Sequence, residues 1–190
     1  MREFEKMLKG EIYDANYDKE ILKLRLKAKD ICFEYNNTMP SDEKKKLEII
    51  DKLQIKHGKN IEIVSPFYCD YGFNIEVGEN FYANHKLIIL DGAKVKIGKN
   101  VFIAPNVTIS TAGHPIDYKR RNEGLEYAKS VEIGDNVWIG AGVIINPGVK
   151  IGDNTVIGSG SVVTKDIGDN TVAFGNPCRE IRKISEDNRK

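Results

Sequence analysis

The sequence predicts a mainly β fold, a solenoid of stacked six-residue turns, preceded by an N-terminal α-helical segment. Two observations carry this. Ile133, Ile139, Ile145, Ile151, Ile157 and Val163 follow one another at a strict step of six, and a fixed short period marks a β-helix. Four places on from each stand Val137, Val143, Val149, Thr155, Ser161 and Ile167, all small or β-branched. The same step runs earlier through Val77, Ala83, Ile89 and Val95, and again through Ile97, Ile103 and Ile109. A β-sandwich would instead need period two and hairpin turns.

Each hexapeptide gives a short strand and a turn. The aliphatic points inward, and the Gly or Asn that often follows it (Gly134, Gly140, Asn146) suits the turn backbone. Three hexapeptides form a coil, and coils stack at about 4.8 Å. The solenoid is expected over residues 59–184, with 185–190 a polar tail. Its repeat is read as breaking once, between Ile109 and Ile133, so that residues 110–131 form a long extruded loop. A loop of that length is commonly functional.

Residues 1–58 read as helical. Ile21, Leu24, Ala28, Ile31 and Tyr35 recur at three- and four-residue spacing. Pro40 ends that run, because the residue before a proline disfavours helix. Ser41 reads as the next N-cap, with Asp42 and Glu43 in the first turn. That second helix turns Leu47, Ile50 and Leu53 inward and stops at Gly58.

Composition narrows the function. Lys plus Arg number 29 against 28 Asp plus Glu, a net charge of +1, which gives no broad reason to bind nucleic acid or an anionic membrane. Cys32, Cys69 and Cys178 are odd in number and form no Cys-x-x-Cys pair, which suits free thiols. Met1 to Asp14 is charged throughout, without the apolar stretch of a leader. The longest aliphatic run, Leu87–Leu90, is far short of a membrane span. These features point to a cytoplasmic protein. The three histidines, His57, His85 and His114, are scattered and suggest no metal site.

The repeats resemble the hexapeptide acyltransferases, and Asn80 to Arg182 resembles their maltose and galactoside O-acetyltransferase branch. The motifs are Phe81-Tyr82-Ala83-Asn84, Ile103-Ala104-Pro105-Asn106-Val107, Gly113-His114-Pro115 and Asn136-Val137-Trp138-Ile139-Gly140. They continue in Asn146-Pro147-Gly148-Val149, Val163-Thr164-Lys165-Asp166 and Asn176-Pro177-Cys178-Arg179. The start, with Gly10-Glu11-Ile12-Tyr13, Leu24-Arg25-Leu26 and Tyr35-Asn36, is similar too. The resemblance implies a left-handed parallel β-helix, a hand that period alone does not give, since parallel crossovers are normally right-handed. It implies maltose O-acetyltransferase-like transfer of acetyl from acetyl-CoA directly to a sugar hydroxyl, with a galactoside or a non-sugar hydroxyl such as an antibiotic as the alternative acceptor. It further implies a homotrimer with sites shared between subunits, and no metal.

Carried over residue by residue, the resemblance makes His114 the general base and gives Asn84 a part in transition-state stabilisation. Acceptor contacts fall on Arg25, Asp70, Tyr82, Asn84 and Asp91, although Asp91 also fits a turn role. Asp14 is the nearest candidate for an N-terminal sugar contact. Glu126, on the loop with His114, would hold the imidazole, touch the sugar, or pair with Lys129. Where the galactoside enzymes have a second sugar-binding aspartate, this chain has Gly92. Donor contacts fall on Gly140, Ala141 and Ser159 through main chain, and on Trp138, which would flank the thioester or pack on a neighbouring subunit. Thr164, Lys165, Arg179 and Arg182 would form a basic cluster for the CoA phosphates.

Overall fold

The computed structural model describes residues 1–185 and 188; of the expected polar tail, residues 186, 187, 189 and 190 lie outside the described residues. Three parallel sheets form a left-handed triangular prism. Face 1 stacks β2 (Lys56–His57), β5 (Ile75–Val77), β8 (Val95–Ile97), β13 (Val131–Ile133) and β16 (Lys150–Ile151). Face 2 stacks β3 (Glu62–Ile63), β6 (Tyr82–Ala83), β9 (Phe102–Ile103), β14 (Trp138–Ile139), β17 (Val156–Ile157), β19 (Thr171–Gly175) and the antiparallel β20 (Cys178–Lys183). Face 3 stacks β4 (Phe67–Cys69), β7 (Leu87–Leu90), β10 (Thr108–Ser110), β15 (Ile144–Ile145) and β18 (Val162–Val163).

Both members of each expected pair point inward. Val137 and Ile139, Val143 and Ile145, and Val149 and Ile151 are all buried. Thr155 and Ser161 are buried as well, and their hydroxyls bond the carbonyls of Gly168 (2.9 Å) and Gly158 (2.5 Å). A buried hydroxyl is tolerated when so satisfied.

The turn chemistry differs from expectation. The glycine directly after the aliphatic does not take a left-handed backbone; it is there for space. A Cβ on Gly140 would stand 2.5 Å from the Ser159 N of the next coil. The left-handed position lies two residues further on, and asparagine fills it where face 1 turns into face 2. Asn60, Asn80, Asn100, Asn136, Asn154 and Asn170 all have φ between 53° and 57°. Their side chains form one ladder, each Nδ2 donating to the Oδ1 of the next at 2.9–3.1 Å. Asparagine is the side chain that tolerates this region best while bonding its neighbours.

The repeat breaks more than once. Inward positions step by eight from Cys69 to Val77 and from Ile89 to Ile97, and by 24 from Ile109 to Ile133. All three, and a shortened step of four from Val163 to Ile167, fall where face 3 turns into face 1. That corner is therefore widened in three successive coils, regular from Ile145 to Ile151 and tightened after Val163, and the long loop is its largest widening.

That loop is structured rather than irregular. It contains β11 (Ala112–Gly113), α4 (Tyr118–Asn122) and β12 (Leu125–Ala128), and β1 (Tyr13–Asp14) from the N-terminus completes a three-stranded antiparallel sheet. The sequence hid this because β1 lies over a hundred residues from its partner.

Helices α1 (Glu3–Leu8), α2 (Lys19–Asn36) and α3 (Glu43–Lys52) cover the start of the prism. α2 buries Ile21, Ala28, Cys32 and Tyr35. The N-cap of α3 is Asp42, one residue later than expected, with its carboxylate accepting from the Lys45 N–H. Its inward residue is Ile49 beside Ile50; Leu47 faces out. α3 ends at Lys52, and β2 already pairs with β5, so the solenoid begins a little ahead of Gly58.

Candidate active site

The widened corner gathers the acceptor candidates. Asp70 and Asp91 leave face 3 one coil apart, and the loop leaves from the coil above. Asp91 is fully buried, and its two oxygens accept from the backbone N–H groups of Asp70 (3.0 Å), Tyr71 (2.9 Å) and Gly72 (2.7 Å). A carboxylate so enclosed shapes the turn that presents Asp70. The expected contact between Asp91 and a sugar is therefore replaced by its turn role. Burial pushes its pKa up to about 6, against the pull of those N–H donors.

Asp70 remains half-exposed. Burial raises its carboxyl above the ordinary range, opposed by the charges of Arg25 and Lys29. Arg25 reaches in from α2; its Nη2 donates to the Ala15 carbonyl at 2.8 Å and to the Tyr71 hydroxyl at 3.3 Å. Its buried Nε has no protein acceptor among the described residues.

His114 follows β11. Its Nδ1 lies 2.9 Å from the Leu125 carbonyl oxygen. A carbonyl only accepts, so Nδ1 carries the proton and Nε2 of the neutral ring is left with a lone pair. Nε2 stands 3.9 Å from Glu126 Oε2. Glu126 Oε1 accepts from the Tyr13 hydroxyl. Burial raises the Glu126 carboxyl, while the Tyr13 hydrogen bond and the Arg25 charge oppose this. Glu126 thus sits with the imidazole and not with Lys129, whose ammonium lies over the Tyr127 ring.

This arrangement accounts for Gly92. A Cβ there would stand 3.1 Å from the Tyr13 hydroxyl and 3.3 Å from the Ala128 Cβ. Tyr13, which sequence reasoning missed as a site residue, occupies the room a longer side chain would need. Asp14 adjoins it, and its Oδ1 is taken by the N–H groups of Asn16 and Tyr17.

The donor candidates lie elsewhere, and so do two of the acceptor candidates. Tyr82 and Asn84, expected to contact the acceptor, line face 2 and the corner where it turns into face 3, together with Trp138, Gly140, Ala141 and Ser159. Tyr82, Phe102 and Trp138 share one outward column, and Trp138 is 56% exposed. Gly140 is buried, and its lack of a side chain is explained by coil stacking rather than by ligand contact. The Gly140 and Gly142 N–H groups bond Ile157 O and Pro105 O, whereas that of Ala141 has no protein acceptor among the described residues. Thr164, Lys165, Arg179 and Arg182 are exposed in the last coils, at two neighbouring strands. Thr164 and Lys165 follow β18, while Arg179 and Arg182 pair with Phe174 and Val172 on face 2.

The other two histidines are engaged apart: His57 Nε2 lies 3.1 Å from Asp51, and His85 Nδ1 lies 2.6 Å from Ser65 O. Among the described residues no three His, Cys, Asp or Glu side chains converge on a metal position. No helix among them is long and apolar enough to cross a membrane.

A triangular β-helix with a helical cap and a histidine loop on one corner defines a hexapeptide-repeat transferase. Known proteins agree with that class. The maltose acetyltransferase hexapeptide capping motif matches residues 6–53, and the bacterial transferase hexapeptide (six repeats) matches residues 130–165. A Saccharomyces cerevisiae protein, provisionally assigned as an acetyltransferase, is 61% identical over 182 residues, 96% of this chain and 93% of its own. Galactoside O-acetyltransferase of Escherichia coli K12 is 49% identical over 162 residues, 85% of this chain and 80% of its own. The crystal structure of a maltose O-acetyltransferase from Clostridium difficile 630 superposes with a TM-score of 0.93 at 54% identity, covering 98% of this chain and 99% of that one. A galactoside acetyltransferase in complex with coenzyme A also gives 0.93, at 44% identity and 100% and 94% coverage. The chain belongs to the hexapeptide-repeat acetyltransferases that carry the maltose acetyltransferase cap.

Proposed function

We propose that this chain transfers acetyl from acetyl-CoA directly to a sugar hydroxyl, with His114 as general base and each site shared by two chains of a homotrimer. The observation that carries the first part is the Nδ1–H bond to Leu125, which leaves His114 Nε2 able to take a proton, with Glu126 Oε2 at 3.9 Å. A hydroxyl is a poor nucleophile at neutral pH, so a base within reach must remove its proton as it attacks the thioester carbonyl. The oxyanion that forms would be met by the N–H of Ala141 and by Asn84. Its collapse expels the CoA thiolate, which recovers the proton from the imidazolium. Asp70 and Arg25 suit the acceptor: a carboxylate accepts from hydroxyls, and the Arg25 charge acts on Asp70 beside it. Thr164, Lys165, Arg179 and Arg182 suit the phosphates of CoA.

The case for shared sites rests on the faces. Face 1 carries Lys56, Glu76, Lys96, Glu132 and Lys150 in one outward column, alternating in sign, as a solvated surface does. The outward column of face 2 runs from Glu62 through Tyr82, Phe102, Trp138, Val156 and Val172 to Arg182, charged only at its ends; that of face 3 is Tyr68, Ile88, Thr108, Ile144 and Val162. Two adjoining apolar faces on one chain favour a neighbour on each. An interface between unlike faces closes into a trimeric ring when its rotation is three-fold, as adjoining faces of a triangular prism suit. His114 lies at one edge of face 3, while Asn84, Trp138 and Ala141 lie at or beyond the other. One chain holds them apart, and packing face 3 of one copy on face 2 of the next brings them together. Ile116, 97% exposed on the loop, would be covered in the same way.

The test is release of CoA thiol from acetyl-CoA over a panel of maltose, glucose, galactosides and hydroxyl-bearing antibiotics. Turnover with sugars supports the reading; turnover only with a non-sugar hydroxyl overturns its acceptor class.

A further inference from the structure

Cys32 and Cys69 face each other where α2 crosses β4, their Sγ atoms 3.7 Å apart. Both are free thiols and buried, and acetyl transfer has no use for either. Their position matters because each adjoins a part of the acceptor pocket. Asp70 follows Cys69 in the chain, and Arg25 lies two turns before Cys32 on the same helix. The two thiols also line a depression of about 690 Å³, walled in part by Lys29, Phe33, Tyr68 and Asp70, through which a small oxidant reaches them.

We propose that Cys32 and Cys69 form a reversible intrachain disulfide, and that closing it impairs acceptor binding by drawing α2 and β4 together. Bonded sulfurs stand about 2.05 Å apart, so this pair must close by more than an ångström. The pair is chemically asymmetric. The hydrogen bond from Cys69 lowers the Cys32 thiol, whereas donating that bond, together with burial, pushes Cys69 well up. Cys32 is therefore the attacking thiolate.

With hydrogen peroxide, the Cys32 sulfur attacks one oxygen, breaking the O–O bond and releasing hydroxide, which leaves a sulfenic acid. The Cys69 sulfur then attacks the sulfenic sulfur, forming the S–S bond and expelling the remaining oxygen as hydroxide. The two thiol protons convert both hydroxides to water. The thiols lose two electrons and the peroxide gains them. A dithiol reductant reverses the reaction by exchange.

The consequence for acceptor binding rests on reading Asp70 and Arg25 as acceptor contacts; the cross-link itself does not. The experiment uses the Cys178→Ser chain, which leaves only this pair. After treatment with hydrogen peroxide, thiols are counted under denaturing conditions and the peptides are mapped by mass. A linked Cys32–Cys69 peptide, two hydrogens lighter than the free pair, is expected. The kcat/KM for the sugar acceptor should fall on the order of 10- to 100-fold, as misplacement by about 1 Å does. The KM for acetyl-CoA should hold, and dithiothreitol should restore activity. Cys32→Ser in the same background should keep its activity through the treatment, with Cys32→Ala as the substitute if serine is not accommodated. Absence of the linked peptide overturns the site. A linked peptide with unchanged acceptor kinetics overturns the effect on the pocket, as does equal peroxide sensitivity of the Cys32 variants. If the chain acetylates no sugar, the linked peptide is still scored by mass, so the two readings fail separately.

Discussion

Tyr13 and Glu126 are partners twice over: they face each other in the register of β1 and β12, and the Tyr13 hydroxyl donates to the Glu126 carboxylate. This pair ties the N-terminus to the loop that carries His114. The loop's geometry is therefore imposed in part by the distant N-terminus, and the hydrogen bond holds Glu126 in the orientation that leaves Oε2 near the imidazole.

Tyr13→Phe should consequently act through Glu126. It removes the donor and leaves a buried carboxylate oxygen unsatisfied, a loss of about 1.5–3 kcal/mol for a bond to a charged group. The expected result is a lowered Tm and a several-fold lower kcat/KM for the acceptor, with the KM for acetyl-CoA unchanged. An equal rise in both KM values would mean that the loop had collapsed as a whole.

His114→Ala should lower kcat by on the order of 10²–10⁴, the usual contribution of a general base, with little effect on CoA affinity. His57→Ala should leave turnover unchanged, because that ring bonds Asp51 near the start of the solenoid. Near-normal turnover by the His114 variant would remove the base from the mechanism.

The solenoid was legible because its period is written in the chain: Ile133 to Val163 is one inward row read six residues at a time. The site was legible only where a motif announced it. Gly113-His114-Pro115 stood out on the loop, whereas Tyr13 gave no signal, since its partner is 113 residues away. The steps of eight from Cys69 to Val77 and from Ile89 to Ile97 were countable and mark the same corner as the loop. They were passed over because Val77–Val95 also fits a six-step register that the structure does not keep across that corner. The turn role of Asp91 was one of two readings the sequence left open, whereas the role of Gly140 could not be read from sequence, because it depends on what the neighbouring coil places beside it.

Stacking makes a sharp prediction for two glycines of one turn. A Cβ on Gly140 meets Ser159 N at 2.5 Å and Ile157 O at 2.8 Å, both main chain. Gly140→Ala should therefore cost about 1–3 kcal/mol, as overpacking does. Gly142 has φ +69° and open space around it. Gly142→Asn should cost little, since asparagine holds φ 57° at Asn136 and 55° at Asn154. Thermal unfolding of the two variants checks the order, and a larger loss at Gly142 would contradict it.

Asp91 gives a pH dependence of defined sign. Its carboxyl rises from 3.8 to about 6 on folding, so the native chain holds this proton more tightly than the unfolded chain. Below about pH 4 both states are protonated and the contribution is fully present. As pH rises through about 6 the buried group ionises, and about 3 kcal/mol of stability is lost. Asp91→Asn cannot titrate, so the stability of wild type relative to this variant should fall between roughly pH 4 and pH 6.5. A difference that is flat, or that rises with pH, would show that the three N–H donors outweigh burial.

Sharing of sites between chains has its own signature in mixed assemblies. His114 and Asn84 lie at opposite edges of face 3, so a shared site takes the histidine from one chain and the asparagine from the next. His114→Ala and Asn84→Ala chains should each be nearly inactive alone. In a mixed trimer, whichever chain is in the minority, one of the three interfaces pairs an intact histidine with an intact asparagine. Co-refolding the two variants in equal amounts should therefore restore about a quarter of wild-type activity, the random-mixing value for a closed three-fold ring. A site contained within one chain would restore none, because every chain carries one lesion. Mass in solution completes the test: the active species should weigh three chains, and a fully active monomer would end the shared-site reading.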